Sequence, residues 1–296
     1  MILEFKKLTL DHIEKFRPFF KDNNCRICDC TVGGTFMWRD HHYTEYALED
    51  EALYLKVTYP ETGPAFAPPM GARSDKAAYQ RVIEYCDENN MPVKICAVTE
   101  AVKKDIDQMF PGSTSWTDRA WSDYLYLSDD IKNLAGRKFS GQRNHINRFK
   151  KENPSWEFRP VTADNLAEAT EFIENYAREH VKKYAAYDEG NIKTLEVLSN
   201  FELYGQIGGV LYVTGKPIGL SLGETVGDTL FVHVEKADTS HHGSYPMLMN
   251  QFANMFVQDG ISYINREEDD GVEGLRVSKL SYHPIDILDK YIVEIQ

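Results

Sequence analysis

Apolar residues in the first half of the chain recur at two different spacings, one typical of helices and one typical of strands. This mixture predicts an α/β (α+β) fold rather than an all-helical or all-strand one. Helices are predicted at 9–21, at 74–89 with Ser74 as the capping residue, and at 100–109. Strands are predicted at 43–48, 52–58, 93–97 and 123–127.

The second half repeats a similar order of elements. A helix is predicted at 166–179, followed by strands at 209–213, 218–224 and 229–235 whose short Gly-containing turns indicate an antiparallel meander. A helix at 246–258 and a strand at 262–265 come next. In both halves a pair of strands precedes a helix, which a further strand follows. This order suggests a duplicated unit.

Length and composition support two soluble domains. The chain has 296 residues, 42% of them hydrophobic, and a formal charge of −13. Two domains are therefore predicted at 1–130 and 155–296, joined by a segment at 131–154. The negative charge argues against adhesion of the whole surface to nucleic acid or anionic membranes. The chain shows no leader-like start and no apolar run of about 18 residues, which predicts a cytoplasmic protein.

The five cysteines lie at 25, 28, 30, 86 and 96. An odd number in a chain of this size disfavours a disulfide framework. The spacing of Cys25, Cys28 and Cys30 resembles that of a metal site, but no second paired cluster is present. Because zinc takes four defined ligands, free thiols and no metal are expected.

The connecting segment is strongly basic. It has six Lys or Arg residues and no acid between 137 and 151, in a helix predicted to end at Pro154. Like charges one turn apart destabilise a helix, and nothing within the run offsets them. The helix is therefore either a solvated connector or a binding surface for phosphates, with tRNA as the candidate partner. The candidate contacts are Arg143, Asn144, Arg148 and Lys151.

A second candidate lies around strand 229–235 and the loop after it. Alternation places His233 and Glu235 on one face of this strand. His233 is either a catalytic group or a satisfied structural histidine. The loop leads to a helix start, where Gly243 permits close backbone approach and the N–H groups of Ser244 and its neighbours favour an anion.

The densest charge pattern runs from 265 to 283. Four acids follow a short apolar strand and precede several basic and aromatic residues. Glu267 and Asp269 fall on one side if the strand continues, and could orient an ammonium group or accept a proton. Arg276 and Lys279 lie three residues apart, so they share a face if 273–280 is helical, and they could bind an anionic group. The alternative is an internal network of salt bridges that fixes the fold.

These motifs resemble a known family. The stretches 138–149, 237–245 and 265–284 are similar to an uncharacterised bacterial family related to the C-terminal catalytic domain of phosphatidylglycerol lysyltransferase. The resemblance spans essentially the whole chain. It implies two tandem GNAT-like (acyl-CoA N-acyltransferase-like) domains with mixed central sheets, as in Fem-type aminoacyltransferases.

The resemblance also implies a reaction: transfer of an aminoacyl group from aminoacyl-tRNA to a hydroxyl or amine acceptor, with no further cofactor. An acidic pocket after strand 262–265 would hold the ammonium group of the amino acid. The residues assigned to catalysis are Glu267, Asp269 and His233. Those assigned to substrate binding are Asn265, Arg276, Lys279, Tyr282 and Glu235.

Two alternatives remain open. The chain could be a non-catalytic GNAT-like binding module, or an N-acetyltransferase that uses acyl-CoA. Residues 240–244 contain a single glycine, whereas the phosphate loop of ordinary GNAT enzymes is richer in glycine, which disfavours acetyl-CoA. The acceptor is either a small molecule or a lipid headgroup, and the chain lacks the membrane-spanning part of the lysyltransferase.

Overall fold

The computed structural model describes residues 2–21, 25–60, 62–71, 75–180 and 185–296. The chain forms two compact units. The first contains Met1–Asp123, Glu268–Glu273 and Ile287–Gln296, and the second contains Tyr124–Glu267 and Gly274–Asp286. The predicted domains place 287–296 in the C-terminal half, whereas these residues belong to the first unit. The predicted connector belongs to the second unit.

The first unit is built on a mixed sheet in which one pair of neighbouring strands is parallel and the others are antiparallel. Its strand order is Lys6–Lys7, Glu45–Glu49, Ala52–Tyr59, Gly63–Phe66, Val93–Val98, Tyr291–Ile295 and Thr114–Thr117, with Met70–Gly71 also paired to Ala52–Tyr59. The α-helices are Ile13–Lys21, Val32–Met37, Lys76–Glu88 and Glu100–Met109, and the 3-10 turns are Leu10–His12, Cys28–Cys30 and Arg119–Trp121.

Helix Lys76–Glu88 shows why these elements form. Its N-cap is Asp75, whose carboxylate accepts hydrogen bonds from the N–H groups of Ala77 and Ala78. The predicted cap, Ser74, lies outside the described residues. The helix buries Ala78, Tyr79, Val82 and Cys86, a stripe at helical spacing, against the sheet core.

The second unit has a seven-stranded mixed sheet. Its strand order is Asp286–Leu288, Asp123–Leu127, Tyr263–Asn265, Thr229–Ala237, Lys216–Val226, Ile207–Val213 and Trp156–Pro160. The predicted meander is confirmed, because the strands at 207–213, 216–226 and 229–237 pair in antiparallel fashion. The helices are Ser128–Asn133, Ser140–Glu152, Leu166–His180, Ala185–Ser199, Phe201–Tyr204, Ser244–Phe256 and Glu273–Leu280, with a 3-10 turn at Arg137–Phe139.

Two strands of the second sheet separate towards their C-terminal ends. Thr229–Ala237 and Tyr263–Asn265 are parallel, and their register runs from Thr229↔Tyr263 to Phe231↔Asn265. Strand Thr229–Ala237 then continues for six residues beside Lys216–Val226, whereas strand Tyr263–Asn265 ends at Asn265. We call the gap between 232–237 and the residues that follow Asn265 the strand opening. Across it, side chains of 232–237 contact side chains of the residues that follow Asn265.

Helix Ser140–Glu152 packs on helix Ser244–Phe256 through Ile146 and Phe149, which are buried. The remaining positions of this helix are mostly exposed and polar, as predicted. Within the described ranges, no helix combines the length and apolar composition needed to cross a bilayer. The cytoplasmic location stays a prediction.

Candidate functional site in the second unit

Charged side chains from three strands meet at the strand opening. His233 and Glu235 are two residues apart on Thr229–Ala237, so they point to the same face. Glu224 comes from the neighbouring strand, and Arg266 and Glu267 follow the end of Tyr263–Asn265. All five belong to the second unit.

His233 lies between two carboxylates. Its Nδ1 is 2.7 Å from Oε1 of Glu267, and its Nε2 is 2.9 Å from Oε1 of Glu224. Burial alone would lower the pKa of His233, but the hydrogen bonds to Glu224 and Glu267 outweigh it and raise the pKa to about 10. At neutral pH the ring is therefore an imidazolium whose two N–H groups both donate. This arrangement suits a positioning role and leaves no ring nitrogen to accept a proton.

Arg266 and Glu235 form the second ion pair across the opening. Nε and Nη2 of Arg266 donate to the same oxygen, Oε2 of Glu235, at 2.9 and 2.7 Å. The guanidinium carbon is 4.8 Å from the ring centre of Tyr282 and 5.8 Å from that of Tyr126. Burial raises the pKa of Tyr282 to about 12. Tyr282, predicted to bind substrate, thus stacks on Arg266 and holds it in place.

Three polar atoms near these pairs are buried and lack a hydrogen-bond partner among the residues that the structure describes. They are Oε1 of Glu235, Nη1 of Arg266 and Oγ of Ser221. Ser221 is fully buried and lies directly opposite Glu235 in the antiparallel register. Each such atom costs about 1–3 kcal/mol of desolvation without compensation. Three of them on neighbouring residues make this a place where a ligand would gain hydrogen bonds.

The turn after Tyr263–Asn265 is held in an unusual conformation. Glu267 has φ of 55°, a region that non-glycine residues seldom adopt. Its N–H donates to Oδ1 of Asn265 at 2.6 Å, and Nζ of Lys279 donates to the carbonyls of Arg266 and Glu267 at 2.5 and 3.2 Å. Asn265 and Lys279 therefore set the direction of the Arg266 and Glu267 side chains. Strain held by its surroundings is common at functional sites.

The structure places other predicted site residues elsewhere. Asp269 belongs to the first unit, is fully buried, and faces Arg119 with 3.6 Å between Nη1 and Oδ2. It also accepts a hydrogen bond from the N–H of Gly271. Its carboxylate thus has internal partners, unlike that of a substrate-binding residue. Arg276 is half-buried on helix Glu273–Leu280, one turn before Lys279.

Part of the positive charge of the basic segment is neutralised by acidic side chains. Arg148 pairs with Glu152 at 2.7 Å, and Lys138 pairs with Asp130 at 2.8 Å. The Arg143 guanidinium donates to the carbonyls of Leu134 and Gly136 and so closes the turn before the helix. The expectation that nothing acidic offsets these charges is wrong, because acids just outside the run reach back to it. Asn144, Lys150 and Lys151 remain exposed.

Gly243 allows the backbone before helix Ser244–Phe256 to pack closely against helix Ser140–Glu152. It has φ of 82°, and a Cβ built on it would lie 2.4 Å from the carbonyl oxygen of His145 in helix Ser140–Glu152. The close approach predicted for a ligand is therefore taken by the protein's own backbone. Ser244, the first residue of the next helix, is buried.

The first unit contains a charged group of its own around a buried ammonium group, the lysine cluster: Lys290, Cys28, Asp29, Asp123 and Glu268. Nζ of Lys290 lies 2.7–3.2 Å from a side-chain atom of each of the other four. Burial raises the pKa of Asp123 to about 7. Cys28, Asp123 and Glu268 have the ligand types of a metal site, but the ammonium group already contacts all three. Within the described residues the five cysteines form no disulfide.

Sequence reasoning missed Ser221, Glu224 and the role of Arg266. A β-bulge between Leu222 and Gly223 breaks the alternation of the strand, so Ser221 and Glu224 do not read as residues of one face. The signal for Arg266 was available. It is a lone basic residue that follows a short apolar strand directly, beside an acid-rich run.

Comparisons with known proteins agree with this architecture. Residues 24–294 match the family model described as phosphatidylglycerol lysyltransferase, C-terminal. A conserved protein of unknown function from Bacteroides thetaiotaomicron is 34% identical over the full length of both chains, with a TM-score of 0.92. An uncharacterised protein of Mycoplasmoides gallisepticum is 23% identical over 65% of this chain. That alignment spans 60% of the relative's length.

More distant structures share the fold. The C-terminal domain of a putative lysylphosphatidylglycerol synthetase from Agrobacterium fabrum is 13% identical, with a TM-score of 0.70 over 97% of this chain and 92% of the other. L-PGS from Bacillus licheniformis is 12% identical, with a TM-score of 0.67 over 98% and 92%. The two mixed sheets form the tandem GNAT-like architecture that was predicted. Because the family model covers nearly all of the chain, this protein belongs to the family of phosphatidylglycerol lysyltransferase C-terminal domains.

Proposed function

We propose that this protein transfers an aminoacyl group from aminoacyl-tRNA to a hydroxyl or amine acceptor, and that the reaction takes place at the strand opening of the second unit. The observation that carries the proposal is the ion pair of Arg266 and Glu235. Each partner keeps one buried polar atom without a hydrogen bond, one a donor and the other an acceptor. An aminoacyl ester offers the complementary pair, a carbonyl oxygen and an ammonium group.

In this reaction the protein mainly has to position the reactants and stabilise the developing negative charge. An aminoacyl ester is already activated, so the acceptor nitrogen or oxygen attacks the carbonyl carbon directly. The carbonyl oxygen then becomes negatively charged, and Nη1 of Arg266 is the donor that stabilises it. The ester oxygen of the tRNA leaves with a proton. No covalent intermediate on the protein is required.

We assign proton removal from the acceptor to Glu267. Its side chain is 19% exposed, compared with 9% for Glu224 and 14% for Glu235, so it is the most accessible carboxylate of this group. His233 and Lys279 fix its position, through the imidazolium and the backbone carbonyl. Glu224 orients His233 from the other side. The role predicted for Glu267 thus remains, and that of His233 becomes indirect.

The tRNA contacts would come from the exposed part of the basic segment. Lys150 and Lys151 end helix Ser140–Glu152, and Arg137 precedes it, all three exposed. A local positive patch on an acidic protein is what phosphate recognition requires. Arg143 and Arg148 already have partners within the chain, so we expect smaller effects from changing them.

The test measures enzyme-dependent loss of a labelled aminoacyl group from tRNA in the presence of a panel of amine and hydroxyl acceptors. We expect turnover that falls at least about a hundredfold in Arg266→Lys, because the bidentate pair and its free donor are both lost. Glu267→Gln should lose turnover and keep its fold, since an amide still bonds to His233.

Binding provides the second arm. In a gel shift, Lys150→Ala/Lys151→Ala should weaken the binding of aminoacyl-tRNA and reduce its salt dependence. Lys103→Ala/Lys104→Ala on helix Glu100–Met109 is the matched control and should change neither. Absence of tRNA binding at low salt would contradict the proposal, and micromolar binding of CoA in the same assay would favour acyl-CoA as the donor.

A further inference from the structure

Ser221 and Glu235 face each other on adjacent antiparallel strands, in a register that keeps their Cβ atoms about 5 Å apart. Oγ of Ser221 and Oε1 of Glu235 are both buried and have no partner within the described part of the chain. The free Nη1 belongs to Arg266, which is held by the other oxygen of the same Glu235. Two acceptors and one donor are therefore left open within one small group of residues.

The open atoms define what a ligand has to offer. Oε1 of Glu235 and Oγ of Ser221 can both accept from one nitrogen that carries several N–H groups and a positive charge. Nη1 of Arg266 needs an oxygen nearby. An α-ammonium group and the carbonyl oxygen one carbon away fit this set. An N-acylated amine fits poorly, because it has a single N–H and no charge to offset that of Glu235.

The charge of the site limits the rest of the ligand. Among the described residues at the strand opening the acids are Glu224, Glu235 and Glu267, and the cations are His233, Arg266 and Lys279. These charges balance before any ligand binds. One ammonium group takes the open side of Glu235. Oε1 of Glu235 is the one buried carboxylate oxygen without a hydrogen bond among these residues, so a second cation on the ligand would find none left.

We propose that Ser221, Glu235 and Arg266 recognise the free α-ammonium and carbonyl groups of an aminoacyl donor whose side chain is uncharged. This inference rests on the proposed function and makes it more specific. It separates the protein from the lysyl transfer that gives the family its name. Ser221 becomes the residue that determines specificity for the amino group.

Small amides test this without tRNA. Calorimetric titration of the full chain with L-alaninamide, L-lysinamide and N-acetyl-L-alaninamide compares a free ammonium, a second charge and a blocked amine. We expect alaninamide to bind at least about tenfold more tightly than either of the others, a difference of about 1.4 kcal/mol. Ser221→Ala should weaken the binding of alaninamide by about fivefold or more, as expected for one lost hydrogen bond.

The controls keep the outcomes distinct. Ser128→Ala removes a buried serine of the second unit whose Oγ bonds to the carbonyl of Ile261, and it should leave binding unchanged. Glu235→Gln should abolish binding, and Ser221→Ala remains informative if that variant does not fold. Tighter binding of lysinamide, or equal binding of the acetylated amide, would overturn the inference. If no amide binds while aminoacyl transfer is observed, this inference fails and the proposed function stands.

Discussion

The charge of His233 can be tested directly, because it links the stability of the second unit to pH. An ordinary histidine has a pKa of about 6.5, and Glu224 and Glu267 raise the pKa of His233 to about 10. A pKa raised on folding contributes stability that is fully present below about pH 6.5 and is lost as the pH rises towards about 10. The difference corresponds to roughly 5 kcal/mol of folding free energy for this fully buried side chain.

The perturbation is His233→Gln. The amide nitrogen of glutamine can donate to one of the two carboxylates, but the amide oxygen cannot donate to the other and the side chain carries no charge, so Glu224 and Glu267 are left as an uncompensated pair. We expect the variant to lose about 3–5 kcal/mol of unfolding free energy at pH 7. The gap to the wild type should narrow steadily between about pH 7 and about pH 10, as the wild-type imidazolium loses its proton.

Urea unfolding followed by circular dichroism gives the free energies across this range, and NMR titration of the imidazole signals gives the pKa itself. His145→Gln, at an exposed histidine of the same unit, is the control and should behave like the wild type at each pH. A difference between wild type and His233→Gln that does not change with pH would refute the reasoning. So would an imidazole that titrates near about pH 6.5.

Three further predictions concern single positions, each measured by urea unfolding. Ser221→Ala should leave the free energy of unfolding unchanged or raise it by about 1 kcal/mol, because an unsatisfied hydroxyl is removed. Ser128→Ala removes a hydroxyl that has a partner and should lower this free energy by a similar amount. Equal losses in both variants would contradict the assignment of Ser221 as unpartnered. Gly243→Ala should lower the free energy of unfolding by more than about 2 kcal/mol, because both the positive φ and the His145 carbonyl oppose a side chain. Gly260 also has a positive φ but lies in open space, so Gly260→Ala should lower it by only about 1 kcal/mol. Lys290→Ala should lower the free energy of unfolding by about 3–5 kcal/mol, because the carboxylates of the lysine cluster lose their cation. Lys104→Ala, at an exposed lysine, should leave it almost unchanged. A small effect at Lys290 would show that water already solvates the cluster.

The sequence predicted much of the fold where local signals are strong. Helix Glu100–Met109 and strand Asp123–Leu127 have the predicted bounds, and the meander has its predicted turns. These elements have clear caps, turns or alternation. Strand Tyr291–Ile295 was not predicted, and its partners are Val93–Val98 and Thr114–Thr117, which lie far earlier in the sequence. Pairing at such a distance leaves no local signal.

The candidate site shows the same limit. Glu235, Glu267 and Lys279 were predicted from charge density and alternation and Tyr282 from the motif at 265–284, and the structure brings them to one place in the second unit. Whether they bind substrate stays a prediction. Asp269 could not be separated from Glu267 by sequence, because a turn with positive φ at Glu267 sends the next residues into the other unit.

The interleaving of the two units has a consequence for synthesis. The strand Tyr291–Ile295 lies between Val93–Val98 and Thr114–Thr117 in the sheet of the first unit. A ribosome therefore releases residues 1–123 long before the strand that fills this gap exists, whereas Tyr124–Glu267 emerges as one continuous piece. The N-terminal part of this chain therefore cannot complete its sheet first, unlike the usual case in which the N-terminal part folds before the rest. The first unit has to wait with an open sheet edge, so removal of the last ten residues should damage it more than the second unit.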